Sequence, residues 1–212
     1  MDVVECKTRF RREGGREWPV LVWRLPSALR AIASSPHGGG LGQRRWVVNA
    51  QVPASYARRD PDHHLAKLGV SLGLPGRGVG MLTASDVRRH TRAEDGGVSA
   101  VATVGLGHPT WAAAPEGWRQ PLVGTINLVV QLPERLSDAA LVNAVSTATE
   151  AKVQALRDAG VEATGTATDA VCILCPEQGR PHAFGGPRSV WGSRLARAVH
   201  ACVLAGALGR PG

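Results

Sequence analysis

Two carboxylates, Glu150 and Asp169, lie on one strand–helix–strand stretch, and each stands where a general acid or base could work. At helical spacing Glu150 shares a face with Asn143, Thr147 and Gln154, so amide, hydroxyl and carboxylate groups gather on one side. Such a face can bind or activate a polar substrate; a solvated surface is the plainer alternative. Asp169 follows the turn Thr164-Gly-Thr-Ala-Thr168 and leads into the apolar run Ala170-Val-Cys-Ile-Leu-Cys175. A carboxylate there is costly to bury unless it is paired or hydrogen-bonded, and groups so placed often sit at sites. The same residue could instead tie down the turn by accepting backbone N–H bonds. His37, within Ser34-Ser-Pro-His-Gly-Gly-Gly-Leu-Gly42, is a candidate base, and Gly38 and Gly39 would let the backbone approach a ligand closely. That loop lacks the Lys-Ser/Thr ending of a phosphate loop.

Metal chemistry is not signalled. Cys172 and Cys175 form a C-x-x-C with no second pair, and within a strand they point to opposite faces, so they read as buried thiols. His63 and His64 are adjacent, point different ways, and read as surface residues. There is neither a G-x-S-x-G elbow nor an H-E-x-x-H.

The elements that must position these groups follow from periodicity. Residues 124–132 alternate, with Ile126, Leu128, Val130 and Leu132 on one side and Thr125, Asn127, Val129 and Gln131 on the other, which predicts a half-buried strand. Ser137 caps a helix over 138–159 that Gly160 stops. Its apolar stripe is Leu141, Val145, Ala148, Ala155 and Leu156, and Lys152 falls inside it. Residues 168–175 form the next strand, parallel to the first by a right-handed crossover. Elsewhere, 19–25 and 29–33 read as a hairpin turning at Pro26-Ser27, with further strands at 45–49, 78–83 and 98–105. Helices are expected over 61–72, capped by Asp60, and over 189–206, capped by Ser189. Residues 110–121 read as a loop, and the tail from Gly209 as frayed. The expected fold is one α+β domain over 18–208, a mixed sheet of about seven strands covered by about three helices. Residues 1–17 form a charged lead-in or a first edge strand.

The net charge of +8 invites a nucleic-acid reading. Its distribution argues against one: residues 1–100 hold 16 Lys and Arg against 9 Asp and Glu, while 101–212 hold 9 against 8. No basic run is interleaved with aromatics. No stretch approaches the ~20 apolar residues of a membrane span, and the charged N-terminus lacks a signal-peptide core. A cytoplasmic protein is expected, and four cysteines fit a reducing compartment.

Several segments together resemble the adenosylcobinamide amidohydrolase family: Ser34-Ser-Pro-His-Gly-Gly-Gly40, Val47-Val-Asn49, Met81-Leu-Thr-Ala84, Thr103-Val-Gly-Leu-Gly-His-Pro109 and Gly124-Thr-Ile-Asn127. The likeness continues through residues 136–152, Thr164-Gly-Thr-Ala-Thr-Asp-Ala170 and Phe184-Gly-Gly-Pro-Arg-Ser189, with 137–152 the most specific part. One departure is His108, where relatives usually carry Asn before the proline. The resemblance implies hydrolysis of the amide joining the aminopropanol arm to the corrin ring of adenosylcobinamide. The products would be adenosylcobyric acid and 1-aminopropan-2-ol, in cobinamide salvage for cobalamin synthesis. The corrinoid is then substrate and no cofactor is expected; a homo-oligomer is compatible with the sequence. A carrier that binds corrinoids without chemistry is the alternative, a basic nucleic-acid binder a weaker one.

Amide cleavage needs an activated water or nucleophile, an oxyanion stabiliser and an acid for the leaving amine. Glu150 or Asp169 is expected to activate water, with His37 or the other carboxylate protonating the departing nitrogen. Thr125, Asn127, Thr166 and Thr168 offer hydroxyl and amide groups. Because the corrin is wide and rimmed with amides, Asn49, Asn127 and Asn143 are expected contacts, beside Thr147, Gly38 and Gly39.

Overall fold

In the computed structural model, which describes residues 3–117 and 124–209, eight strands form one mixed sheet. Strand β1 (Lys7–Glu13) turns through Gly14-Gly15 into β2 (Arg16–Ala33). Both glycines have positive φ, 57° and 74°, as a two-residue hairpin turn of primed type requires. Next come β3 (Gly40–Gln51), α1 (Pro61–Ser71), β4 (Gly78–Thr83), β5 (Thr91–Asp95) and β6 (Val98–Gly105). The chain ends with β7 (Thr125–Gln131), α2 (Asp138–Asp158), β8 (Ala170–Cys175) and α3 (Val190–Ala207). The sheet order is β4-β3-β2-β8-β7-β6-β5, with β1 on the outside of β2. As expected, β7 and β8 are parallel neighbours joined by α2; β3 and β4 are likewise parallel and joined by α1.

Three expectations need correction. Residues 19–33 are not a hairpin: β2 is one continuous strand, and Pro26-Ser27 lies in a bulge. Arg24 pairs with Trp46 and Leu29 with Arg44, so four residues face only Arg45. Proline is tolerated there because a bulge leaves its residues outside the ladder. The strand β5, short and charged, is an element that the sequence reading passed over. Lastly, Asp60 makes no side-chain cap for α1, because its carboxylate is taken by Arg58 at 2.7 Å.

The bulge shapes the molecule. Before it, β2 pairs with β1 and β3; after it, β2 still pairs with β3, and Arg30–Ala33 take β8 as their other neighbour in place of β1. The sheet therefore curls, and its two halves close on a shared apolar interior. Leu21, Trp23, Val47, Val79 and Met81 from one half meet Val101, Val129, Cys172 and Leu174 from the other. Outside the second half, α2 and α3 cover Ile126, Leu128, Val130 and Ile173. Outside the first, Leu65 and Leu68 of α1 cover Val20, Val22, Trp46 and Val48. Burying each such leucine contributes about 1.5–3 kcal/mol over leaving it exposed.

Two covered faces explain why β7 is buried at every position, not half-buried as its alternation predicts. Its Thr125, Asn127 and Gln131 point into the curled interior and must find partners there. The caps of α2 and α3 are as expected: Ser137 accepts from the Ala140 N–H at 3.2 Å and Ser189 from the Gly192 N–H at 3.0 Å. The expected loop over 110–121 lies partly outside the described residues, as does the tail beyond Gly209. Among the described residues no helix is long and apolar enough to cross a membrane.

Candidate active site

Where the curl opens, at the ends of β3 and β4 and the starts of β7 and β8, lies a cleft of about 370 Å³. Pro36, Val52, Pro53, Met81, Leu82 and Pro61 give it apolar walls, and Tyr56, Thr83, Thr125, Asn127 and Thr168 supply polar groups. No lining residue carries a formal charge.

The polar side is built by a chain of oriented side chains that ties the two halves together. Asn127 Nδ2 donates to the Leu82 carbonyl and to Asn49 Oδ1, each at 2.9 Å. Asn49 Nδ2 donates in turn to Thr103 Oγ1 at 2.9 Å. Both N–H bonds of Asn127 are thus engaged, which fixes the amide's orientation. Its Oδ1 is buried without a partner among the described residues. A buried carbonyl oxygen in that condition is a site for a donor, N–H or O–H. Beside it, Thr168 gives its one proton to the Gly124 carbonyl at 3.1 Å, so Thr125 donates to Thr168 at 2.7 Å.

Thr125, Asn127 and Thr168 thus reach the cleft wall, with Asn49 one hydrogen bond behind. His37 lies outside the lining, next to Pro36. Its ring stacks on Trp46 with centroids 5.6 Å apart, and its carbonyl accepts from Gly80 N at 3.0 Å. Burial pushes the imidazole's pKa below its ordinary value, with Asp62 opposing the shift and Arg44 adding to it, which favours the neutral ring. The Gly38 and Gly39 carbonyls face Arg44, which donates to Gly38 at 2.8 and 3.0 Å and to Gly39 at 3.2 Å. The glycine loop therefore lets the backbone close on β4 and Arg44.

The other expected residues sit on the far side of β7 and β8, against α2. Thr147 donates to the Gly185 carbonyl at 2.9 Å, and Asn143 flanks Gly186, so both hold the loop that leads into α3. Asp169 is saturated. Its Oδ1 accepts from the Ile126 N–H at 2.9 Å and from Thr166 Oγ1; its Oδ2 accepts from the Thr166 N–H at 3.1 Å and from the Lys152 ammonium. All four lone-pair sites of the carboxylate are occupied. The geometry fits the turn-tying role, with Lys152 turned inward from the apolar stripe of α2 to meet it. A β-carbon on Gly165 would overlap both partners, which explains a glycine in that turn.

Glu150 stands on the exposed outer face of α2, away from the cleft lining. Of its neighbours in the helical pattern, Asn143 and Gln154 are exposed and Thr147 is buried against Gly185, so the face is in part the plainer, solvated one. Glu150→Gln is expected to change turnover by less than about twofold, since an exposed charge couples weakly to a distant site; steady-state rates check this.

His64 corrects a further expectation. It is buried, because Tyr56 and Glu13 cover both its nitrogens: Tyr56 Oη lies 2.9 Å from Nδ1, and Glu13 Oε1 lies 3.0 Å from Nε2. Nothing local in the sequence signals this pairing, which joins α1 to β1 across 51 positions. Tyr56, the chain's only tyrosine, was the one available clue. Among the described residues no three His, Cys, Asp or Glu side chains gather to hold a metal ion.

Together these features define a single-domain α+β protein with an uncharged cleft at the mouth of a curled sheet. The family model described as adenosylcobinamide amidohydrolase matches residues 2–210. An adenosylcobinamide amidohydrolase of Methanosarcina mazei is 29% identical over 177 residues, covering 79% of this chain and 85% of that protein. One of Halobacterium salinarum is 34% identical over 193 residues, covering 87% and 80%. A crystal structure of a Pyrococcus horikoshii protein has the same fold, with a TM-score of 0.53 at 11% identity over 96% of this chain and 83% of that one. The chain belongs to the adenosylcobinamide amidohydrolase family, enzymes of the amide-hydrolysing class.

Proposed function

We propose that this protein hydrolyses the amide between the corrin ring and the aminopropanol arm of adenosylcobinamide, as a cytoplasmic step of corrinoid salvage. The products are adenosylcobyric acid and 1-aminopropan-2-ol. Family membership across nearly the whole chain supports the reaction class. The observation that carries the substrate reading is the cleft itself. It is uncharged, apolar on one side, and lined by Asn127, whose buried Oδ1 has no partner among the described residues and suits the N–H of a neutral secondary amide. At about 370 Å³ it takes one arm of the substrate, and the macrocycle stays at the mouth. Thr125 and Thr168, whose own protons are taken by Thr168 and the Gly124 carbonyl, offer hydroxyl oxygens that can accept from the hydroxyl of that arm.

Incubating pure protein with adenosylcobinamide and assaying free 1-aminopropan-2-ol tests the reading. Release in proportion to enzyme supports it, whereas tight binding without release would make the protein a carrier. The reaction is also proposed to need neither metal nor cofactor, since the cleft lining holds no ligand cluster. Dialysis against a chelator is expected to leave turnover within about twofold, and a loss restored by zinc would contradict this.

A further inference from the structure

The proposed hydrolysis lacks a proton carrier if Glu150 is solvated and Asp169 is saturated. No carboxylate lines the cleft, yet the attacking water must lose a proton and the departing amine must gain one. One lining side chain is connected to groups that can carry it. Tyr56 forms part of the cleft wall, and its phenolic oxygen is 2.9 Å from His64 Nδ1 with the rings stacked at 5.5 Å. His64 Nε2 lies 3.0 Å from Glu13 Oε1, and Arg11 braces Glu13 Oε2 at 3.3 Å. An ionised carboxylate can only accept, so Nε2 carries the proton and Nδ1 is left to accept from the Tyr56 O–H. Oxygen nucleophile or carrier, imidazole and orienting carboxylate stand in the order that makes a hydroxyl basic in acyl-transfer enzymes.

Resting on the amide-hydrolysis reading above, we propose that Tyr56, His64 and Glu13 form a proton relay that opens on the cleft. As water attacks the amide carbon, its proton passes to the Tyr56 oxygen while the phenolic proton moves to His64 Nδ1. Glu13 holds the resulting imidazolium. When the tetrahedral intermediate collapses, His64 returns the proton through Tyr56 to the nitrogen, the C–N bond breaks, and the amine leaves neutral. One proton enters the relay and one leaves it, so Tyr56 and His64 end as they began. Burial raises the Tyr56 pKa above its ordinary value, which keeps the phenol protonated at rest; Arg58, Asp60, Glu13 and Arg11 are the charged groups that act on it. Tyr56 would be a catalytic residue, His64 and Glu13 positioning residues that work through it.

The test combines kinetics with a titration. Tyr56→Phe keeps the ring and removes the oxygen. Its kcat per folded molecule is expected to fall about 10²-fold or more, with KM within about threefold; the melting temperature falls, because buried His64 Nδ1 loses its donor. A kcat within threefold of the parent overturns the relay. Phenolate absorbance reports Tyr56 alone, because no other tyrosine is present. His64→Gln should lower the Tyr56 midpoint, since the neutral phenol loses its acceptor and the new amide can donate to the phenolate. An unchanged midpoint overturns the coupling whatever the kinetics show. If the parent protein itself leaves adenosylcobinamide intact, the hydrolysis reading fails and the catalytic role of the relay fails with it. A lowered midpoint in that case would still establish the Tyr56–His64 contact.

Discussion

Asp169→Asn is expected to destabilise the fold by about 3–5 kcal/mol, the usual cost of breaking a buried ion pair by removing one partner. The side chains of Lys152 and Asp169 are 9% and 12% exposed, so neither charge can turn to water when the other is lost. Asparagine would also set N–H donors against donors, since all four present partners of Asp169 donate to it. The turn at 164–168 would loosen, and with it the join between β7 and β8. Urea denaturation is the measurement: the midpoint should fall with an unchanged slope, and activity should fall only with the folded fraction. Lys152→Met made on top should recover part of the loss, because it removes the stranded ammonium. A variant that stays as stable as the parent yet loses turnover would contradict this and return Asp169 to direct chemistry.

Asn127→Ala is expected to lower kcat/KM by about 10²-fold, on the scale of removing one oriented group from a water-excluded site. Leu82 and Asn49 hold Nδ2, so the amide cannot flip without losing two hydrogen bonds, and Oδ1 stays buried and unpartnered beside the cleft. Alanine removes that acceptor and leaves Asn49 Oδ1 without its donor, adding a stability cost of about 1–3 kcal/mol. Asn127→Asp separates the effects, since it keeps an oxygen toward the substrate but cannot donate to Leu82 or Asn49. It should be destabilised at least as much while retaining more activity per folded molecule. Steady-state kinetics at saturating and limiting substrate, corrected for folded fraction, check both variants. Unchanged kcat/KM in the alanine variant would mean that the substrate arm does not meet Asn127.

The central β7–α2–β8 unit is legible in the sequence because its signals are local: strict alternation, a Ser cap, a helix without Gly or Pro, and a Gly stop. Thr125 and Asn127 are legible for a related reason, as polar side chains on a strand too apolar to waste them, and Thr168 as a hydroxyl of the Thr/Gly turn that precedes β8. The curl is not. Pro26-Ser27 has the composition of a turn, and a bulge uses the same residues, so only the register with β3 tells them apart. Side-chain partners across long separations are equally silent. Asn49 and Asn127 meet across 78 positions, and Glu13 reaches His64 from a segment that reads as a lead-in. Lys152 and Asp169 are both conspicuous, yet one lies on a helix and the other after a turn. Nothing in their spacing says that they pair, or that Asp169 is already saturated on the face of the sheet opposite the cleft.

The most direct test of the account is turnover of adenosylcobinamide in water enriched in oxygen-18. Hydrolysis in the cleft predicts equal amounts of 1-aminopropan-2-ol and adenosylcobyric acid, with one heavy oxygen in the new carboxyl group and none in the amine product. A corrinoid recovered unchanged and unlabelled after prolonged incubation with folded protein would contradict it.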